Sequence, residues 1–237
     1  MLRQEALERV VANMADAFEN GHPLEALPAE LVPSDQDDAE EVAGGILVRL
    51  GFAPCGVRLA PAADGSLVSG PMLEARLLDD GARLSLDILR HARASAALLM
   101  VLGEALEPGA TTPPAIAAIH PALDVSASRF TQGPADRLAE IADLAGLGVL
   151  VLGKRRPMPS APSRVALIEG EGAPRGKAFD IHATFALAAA EARRLGGLPA
   201  GAVLVVAGLG APVVGLKAGA RLTARFSGIG KVSAQFG

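Results

Sequence analysis

The sequence has no tryptophan, no tyrosine and seven phenylalanines among 237 residues. Single-stranded nucleic acid is held on aromatic platforms set in basic grooves, and a chain with 22 Lys and Arg against 26 Asp and Glu offers neither. Nucleic acid is therefore not an expected partner. The single cysteine, Cys55, excludes an internal disulfide and a cysteine metal cluster, and fits a reducing compartment. No window supplies the roughly 18 uninterrupted apolar residues of a spanning helix, and MLRQEALERVVANMADAF at the start carries acids where a secretory leader is apolar. These absences predict a cytoplasmic protein with no membrane partner. Also absent are a Gly-x-Ser-x-Gly elbow and a Gly-Lys-Ser/Thr phosphate loop. His22, His91, His120 and His182 stand too far apart for a zinc helix and read as surface or core-edge residues.

What is present is hydrocarbon: half of the chain is apolar, enough for a substantial core. Leu2, Leu7, Val10, Val11, Met14 and Phe18 recur at helical spacing before Gly21 and Pro23, which predicts a helix over 2–20. A second helix is expected up to Gly51, opened by a capping box of Ser34 and Asp37. From Gly56 the texture changes to short apolar or alternating runs cut by Gly, Pro and Asp-Gly. Strands are expected at 55–60, 72–78, 83–86, 94–102, 122–126, 147–152, 164–169, 202–207, 219–226 and 231–236, with helices near 134–145 and 181–195. The last two strands form the clearest hairpin, with Leu222, Ala224 and Phe226 answered by Val232, Ala234 and Phe236. The expected organisation is a helical region, 1–54, and a β-rich domain, 55–237. The class is α+β, with a mixed, largely antiparallel β body and outlying helices.

Two stretches have generic readings. VLVVAGLGAPVVG, 203–215, has the glycines of a dinucleotide loop, but Pro212, Val213 and Val214 do not open a helix, so a strand-to-loop turn is expected. Lys154, Arg155, Arg156 and Pro157 read as a solvated turn.

Five segments, in order, carry a resemblance. These are GFAPCGVRLA with SGPML, LRHARASAALLMVLG, PALDVSASRF, IADLAGLGVLVLG and the closing LKAGARLTARFSGIGKVSAQFG. Over about residues 35–236 they resemble the 2-keto-4-pentenoate hydratase family, relatives of fumarylacetoacetate hydrolase. The resemblance implies that family's twisted mixed β body and the addition of water to a 2-hydroxy-2,4-dienoate through its 2-oxo tautomer. It also implies magnesium or manganese held by three acids, two of them in a Glu-x-Glu strand.

Alternate strand residues share a face, so positions 93, 95 and 97 point together, and two carboxylates there could grip one hard cation. This chain has Ser95 and Ala97 at those positions, and Asp124 alone matches the third ligand. The expectation is that no metal cofactor is used. The family lysine matches Arg58, which cannot serve as an ordinary base. A further family acid falls at Ala75, beside Glu74, and the Asn of the family's Asp-Asn pair falls at Leu144. Asp124 and Asp143 are thus the expected catalytic residues. Arg58, Arg93, Arg129, Ser95 and Ser128 are expected to bind a small carboxylic acid, with arginine gripping the carboxylate by paired hydrogen bonds; the equal alternative is that the arginines neutralise Asp124 and Asp143 in a structural network.

The functional expectation is a hydratase-like protein, a lyase of altered mechanism if active, for a small 2-oxo or 2-hydroxydienoic acid. The alternatives are a catalytically inactive homologue that binds a ligand or serves as a partner subunit, and a metal-independent tautomerase or decarboxylase. By resemblance the chain is expected to form a homo-oligomer, with a hetero-complex as a further expectation.

Overall fold

The computed structural model describes residues 3–112, 115–160, 163–170, 172, 175–210 and 214–237. Leu2 and residues 211–213 of the glycine-containing turn, on which two sequence readings rest, lie outside the described residues.

Two helices come first, α1 (Gln4–Asn20) and α2 (Gln36–Leu50). Val10 and Met14 of α1 are buried in one cluster with Val42 and Ile46 of α2, as their helical spacing predicts. Gly21 and Gly51 stop the two helices in the left-handed conformation. The start of α2 differs by one residue from expectation. Asp35 is the cap, accepting from the Asp38 N–H at 2.9 Å, while Ser34 donates its hydroxyl to the Asp38 carboxylate at 2.6 Å.

The body begins with β1 (Gly56–Pro61), β2 (Leu67–Met72), β3 (Leu77–Asp79) and β4 (Ala82–Leu84). The long central strands β5 (Arg93–Leu102) and β6 (Ile116–Ser126) follow, then the short helix α3 (Arg137–Ala142), β7 (Leu147–Leu152), β8 (Ser163–Glu169) and β9 (Lys177–Phe179). Helix α4 (Ile181–Arg194) precedes β10 (Val203–Val206), β11 (Val214–Gly215), β12 (Arg221–Phe226) and β13 (Gly230–Phe236). One sheet runs β2-β1-β10-β5-β6-β7-β3, with β11 paired to β5, and a second runs β4-β13-β12-β8-β9. The pairs β1/β10, β3/β7 and β4/β13 are parallel and the other described pairs antiparallel. The class is the expected mixed, largely antiparallel α+β.

The larger sheet is buried on both faces. Leu98, Met100 and Leu204 pack with Leu222, Phe226 and Val232 of the second sheet and with Phe185 of α4. Ala97, Leu99, Val205 and Ala122 turn the other way, toward the layer of α1, α2 and α3. Polar side chains that share this second face have to satisfy one another.

The strands depart from the sequence reading in several places: β9 and β11 were not expected, and the expected strand at 72–78 shares only Met72 with β2, a 3-10 turn at Glu74–Arg76 separating it from β3. Pro71 lies inside β2, and β2 is a sheet edge, where a residue without an N–H is tolerated. β6 starts at Ile116 rather than 122 and carries Pro121 in its interior. The Pro121 carbonyl accepts from Gly153 N at 2.8 Å, on the β7 side and one residue beyond the last ladder pair, Ala122 with Leu152. The missing N–H faces that same side and costs no ladder bond.

Candidate functional site

Arg58 of β1 and Asp124 of β6 project from the helix-covered face of the sheet. Arg58 is 1% exposed and Asp124 3%. The guanidinium donates Nε to Oδ1 at 2.6 Å and Nη2 to Oδ2 at 2.7 Å, a two-point pair that occupies both carboxylate oxygens. Its Nη1 donates to the Ala145 carbonyl at 2.7 Å. β10 and β5 lie between these partners in the sheet. The small side chains of Ser95 and Ala97 on β5 leave depth on this face for an arginine to cross. Ser95 stands opposite Asp124 in the strand register, but its hydroxyl accepts from Gly208 N at 3.0 Å.

The second pair follows the α3 turn. Asp136 caps α3 by accepting from Ala139 N, and the chain then passes through three successive left-handed residues, Leu144, Ala145 and Gly146. Two of these carry side chains and store strain, and the turn delivers the Ala145 carbonyl to Arg58. Asp143, just before the turn, accepts from Arg129 Nε at 2.5 Å, Arg129 N at 3.0 Å and the Ser128 hydroxyl at 3.0 Å. Arg129 also donates Nη1 to Leu147 O and Nη2 to Asp143 O. Complete burial pushes the Asp143 carboxyl above its ordinary range, against the pull of the Arg129 charge and these hydrogen bonds. The Arg129 guanidinium stands over the Phe18 ring of α1 at 5.4 Å, and Leu24 N bonds the Arg129 carbonyl. The N-terminal segment thereby covers this pair.

The third pair opens to a cavity. Arg93, at the start of β5, donates Nη2 to Glu140 Oε1 at 2.9 Å, and Glu140 Oε2 accepts from Ala63 N at 3.0 Å. The Glu140 side chain is 3% exposed but that of Arg93 is 30% exposed. Both line a cavity of about 220 Å³ with His91, Ser126, Ser128, Gln132 and Asp143 among its other walls. Gly146 also lines it, and a Cβ there would stand 3.5 Å from Glu140 Oε1 on a backbone whose φ of +64° suits glycine.

Of the sequence-predicted site residues, the cavity brings together Arg93, Ser128 and Asp143. Arg129 stands behind Asp143 as its partner. Arg58, Asp124 and Ser95 are not among the lining residues: of the two expectations for Arg58, a ligand clamp or a partner for Asp124, the structure has the second. Glu74, the neighbour of Ala75, is exposed and lies outside the cavity, and Leu144 is buried. The sequence reading missed Glu140, Ser126, Gln132 and the cavity role of His91. One signal for Glu140 was available, since Ala139, Ile141 and Ala142 flank it with hydrocarbon and it lies three residues before Asp143, on the same helix face.

No family model and no curated protein matches the sequence. Solved structures match the fold. The 4-oxalocrotonate decarboxylase from Pseudomonas putida G7, complexed with magnesium and adipate, superposes with a TM-score of 0.80 at 18% identity, over 100% of this chain and 99% of that one. Fumarylpyruvate hydrolase from Pseudomonas aeruginosa, complexed with Mn2+ and pyruvate, gives 0.56 at 13% identity, over 76% of this chain and 88% of that one. The 2-hydroxyhepta-2,4-diene-1,7-dioate isomerase from Mycobacterium marinum gives 0.53 at 15% identity, covering 78% and 76%. The fold is thus the fumarylacetoacetate hydrolase type. A second structure of the decarboxylase holds calcium and acetate. These structures correct the expectation of no cofactor, which rested on Ser95 and Ala97 alone: the architecture is one in which divalent cations are found bound beside small acids.

Proposed function

We propose that this chain binds a small 2-oxo or 2-hydroxydienoic acid in the cavity between β5, β6 and α3, and carries out a lyase or tautomerase step on it. The observation that carries this reading is Arg93. An arginine has five N–H donors, and among the described residues one hydrogen bond from the Arg93 guanidinium is found, to Glu140. The rest of the fork is available at a cavity walled by hydroxyls and carboxylates. A cavity of about 220 Å³ is smaller than the roughly 300–1,000 Å³ that drug-sized ligands occupy, and suits an acid of a few carbons. The neighbours of the same fold, named for decarboxylation, hydrolysis and isomerisation of oxo or dienoic acids, support the substrate class.

In this reading Arg93 anchors the carboxylate, while Ser128 and Asp143 form the polar wall. Arg129 holds Asp143, and Arg58 with Asp124 and Ser95 forms the support beneath. Residues 55–237 carry the site and 1–54 cover it. A divalent cation is the cofactor to be tested with the substrate, as magnesium and manganese accompany adipate and pyruvate in the neighbours. Such an ion supplies charge stabilisation to carboxylate and adjacent oxo oxygens. In this structure Asp124, Glu140 and Asp143 are each bonded to an arginine, and the oxygens of the bound acid would be further donors to such an ion.

A second reading is favoured by the Arg58–Asp124 pair. Asp124, an expected proton carrier, has both oxygens taken, which fits a homologue that binds an acid without turning it over. Titration with a panel of 2-oxo acids in magnesium buffer, followed by product analysis on 2-hydroxy-2,4-dienoates, separates the readings. Binding with product supports the first and binding without product the second. No binding to wild type, or equal binding to Arg93→Gln, overturns the assignment of the cavity.

A further inference from the structure

We infer that Glu140 is the proton-transfer group of the cavity, and that Arg93 holds it until a ligand carboxylate takes its place; this rests on the substrate class proposed above. The three buried acids of the site are not held alike. Each oxygen of Asp124 takes a guanidinium N–H, and Asp143 takes one guanidinium N–H, one amide and one hydroxyl. Glu140 takes a single guanidinium N–H on Oε1 and a single amide on Oε2. Its arginine is also the most exposed of the three, at 30% against 12% for Arg129 and 1% for Arg58. It is therefore the acid whose partner a ligand can reach.

A 2-oxo acid entering the cavity presents a carboxylate that can take two parallel N–H bonds from Arg93, where Glu140 takes one. The exchange strips Oε1 of its partner and leaves Oε2 fixed to the Ala63 amide. The result is a carboxylate anchored at one oxygen and bare at the other, on the cavity wall. The positive charge of Arg93 now balances the ligand, and the freed Oε1 of Glu140 is left facing it as a proton acceptor. The step this allows is reversible proton abstraction from the carbon next to the 2-oxo group. The C3–H bond breaks and the proton bonds to Oε1. The electron pair forms the C2–C3 double bond as the carbonyl pair moves to the 2-oxygen, and reversal restores the acid. No oxidant or co-reactant is consumed.

The test is hydrogen–deuterium exchange at C3 of 2-oxopentanoate, followed by NMR in deuterated magnesium buffer, with calorimetric binding of the same acid measured alongside. Wild type is expected to bind and to exchange. Glu140→Gln is expected to bind as well or better, because an amide competes less for Arg93, while its exchange rate falls about 100-fold or more. Glu140→Asp keeps a carboxylate one methylene short and is expected to retain part of the rate at unchanged affinity. Wild type that binds without exchange, or Glu140→Gln that binds and exchanges at the wild-type rate, overturns the role of Glu140 and leaves the cavity assignment standing. Wild type that does not bind overturns both. If Glu140→Gln fails to fold, Glu140→Asp decides: a wild-type exchange rate removes the inference, and a reduced rate at constant affinity upholds it.

Discussion

Arg58 and Asp124, on strands separated by two others, close on each other at 2.6 and 2.7 Å in the floor of the site. Removing one partner of a fully buried pair leaves a charge with no solvent and no counter-ion. Asp124→Asn is therefore expected to cost about 3–5 kcal/mol, lowering Tm by about 10 °C in a chain of this size. The double replacement Arg58→Met with Asp124→Leu removes both charges and is expected to cost less than the single one. Thermal and urea unfolding of the three proteins measures this, and a double variant less stable than Asp124→Asn would show that the pair itself stabilises the fold.

The turn that feeds this pair depends on a glycine across from it. A Cβ at Gly70 of β2 would lie 2.7 Å from Ala145 Cβ and 2.9 Å from Leu144 O, in a turn already held left-handed. Gly70→Ala is expected to destabilise by about 1–3 kcal/mol through overpacking. Gly215→Ala, in strand β11 with no positive φ and nothing within 4 Å, is the control for replacing a strand glycine without the contact. Equal losses in urea unfolding would show that the Gly70 contact is slack.

Asp143 sets a pH dependence of defined sign. Burial raises its folded pKa above the unfolded value, so between the two the folded chain holds a proton that the unfolded chain has shed. Its contribution to stability is fullest below the ordinary carboxylate value and is lost as pH rises through the folded value. Asp143→Asn cannot titrate. The stability of wild type relative to this variant should therefore fall with rising pH across that window, as measured by urea unfolding in a pH series. A difference that grows with pH would contradict the direction.

Divalent cation and acid are expected to bind together. Magnesium with 2-oxopentanoate should raise Tm by more than the sum of either alone, and excess chelator should remove the surplus. Saturation at 100 times Kd corresponds to about 2.7 kcal/mol, large enough for a melting curve. Strict additivity would mean that the two do not share a site.

Much of the fold was legible because it depends on near neighbours. The alternation of Leu222, Ala224 and Phe226 with Arg221, Thr223 and Arg225 fixed both the pairing and the buried face of the last hairpin. The helical spacing of Val10 and Met14 located the face of α1 that is buried. The prolines misled where tolerance is set by place in the sheet: Pro71 sits on an edge and Pro121 just past a ladder end, and neither fact is local. At the site, strand alternation put Arg93, Ser95 and Ala97 on one face. What the sequence left open was which acid each arginine meets. Glu140 on a short helix looks like a solvated acid until Arg93, 47 residues earlier, is brought against it. Arg58 reads equally as a ligand clamp and as a partner for Asp124, 66 residues on, and only the folded sheet decides for the partner.

The floor pair also constrains how this sequence can change. With Arg58 and Asp124 neutralising each other and Ser95 bonded to Gly208, a glutamate introduced at 95 or 97 would arrive as a surplus buried charge in the path of the Arg58 side chain. Positions 58, 95, 97 and 124 therefore form an epistatic set. Single acidic substitutions at 95 or 97 should be rejected in a mutational library, and the same substitutions should be recovered where Arg58 has been exchanged first.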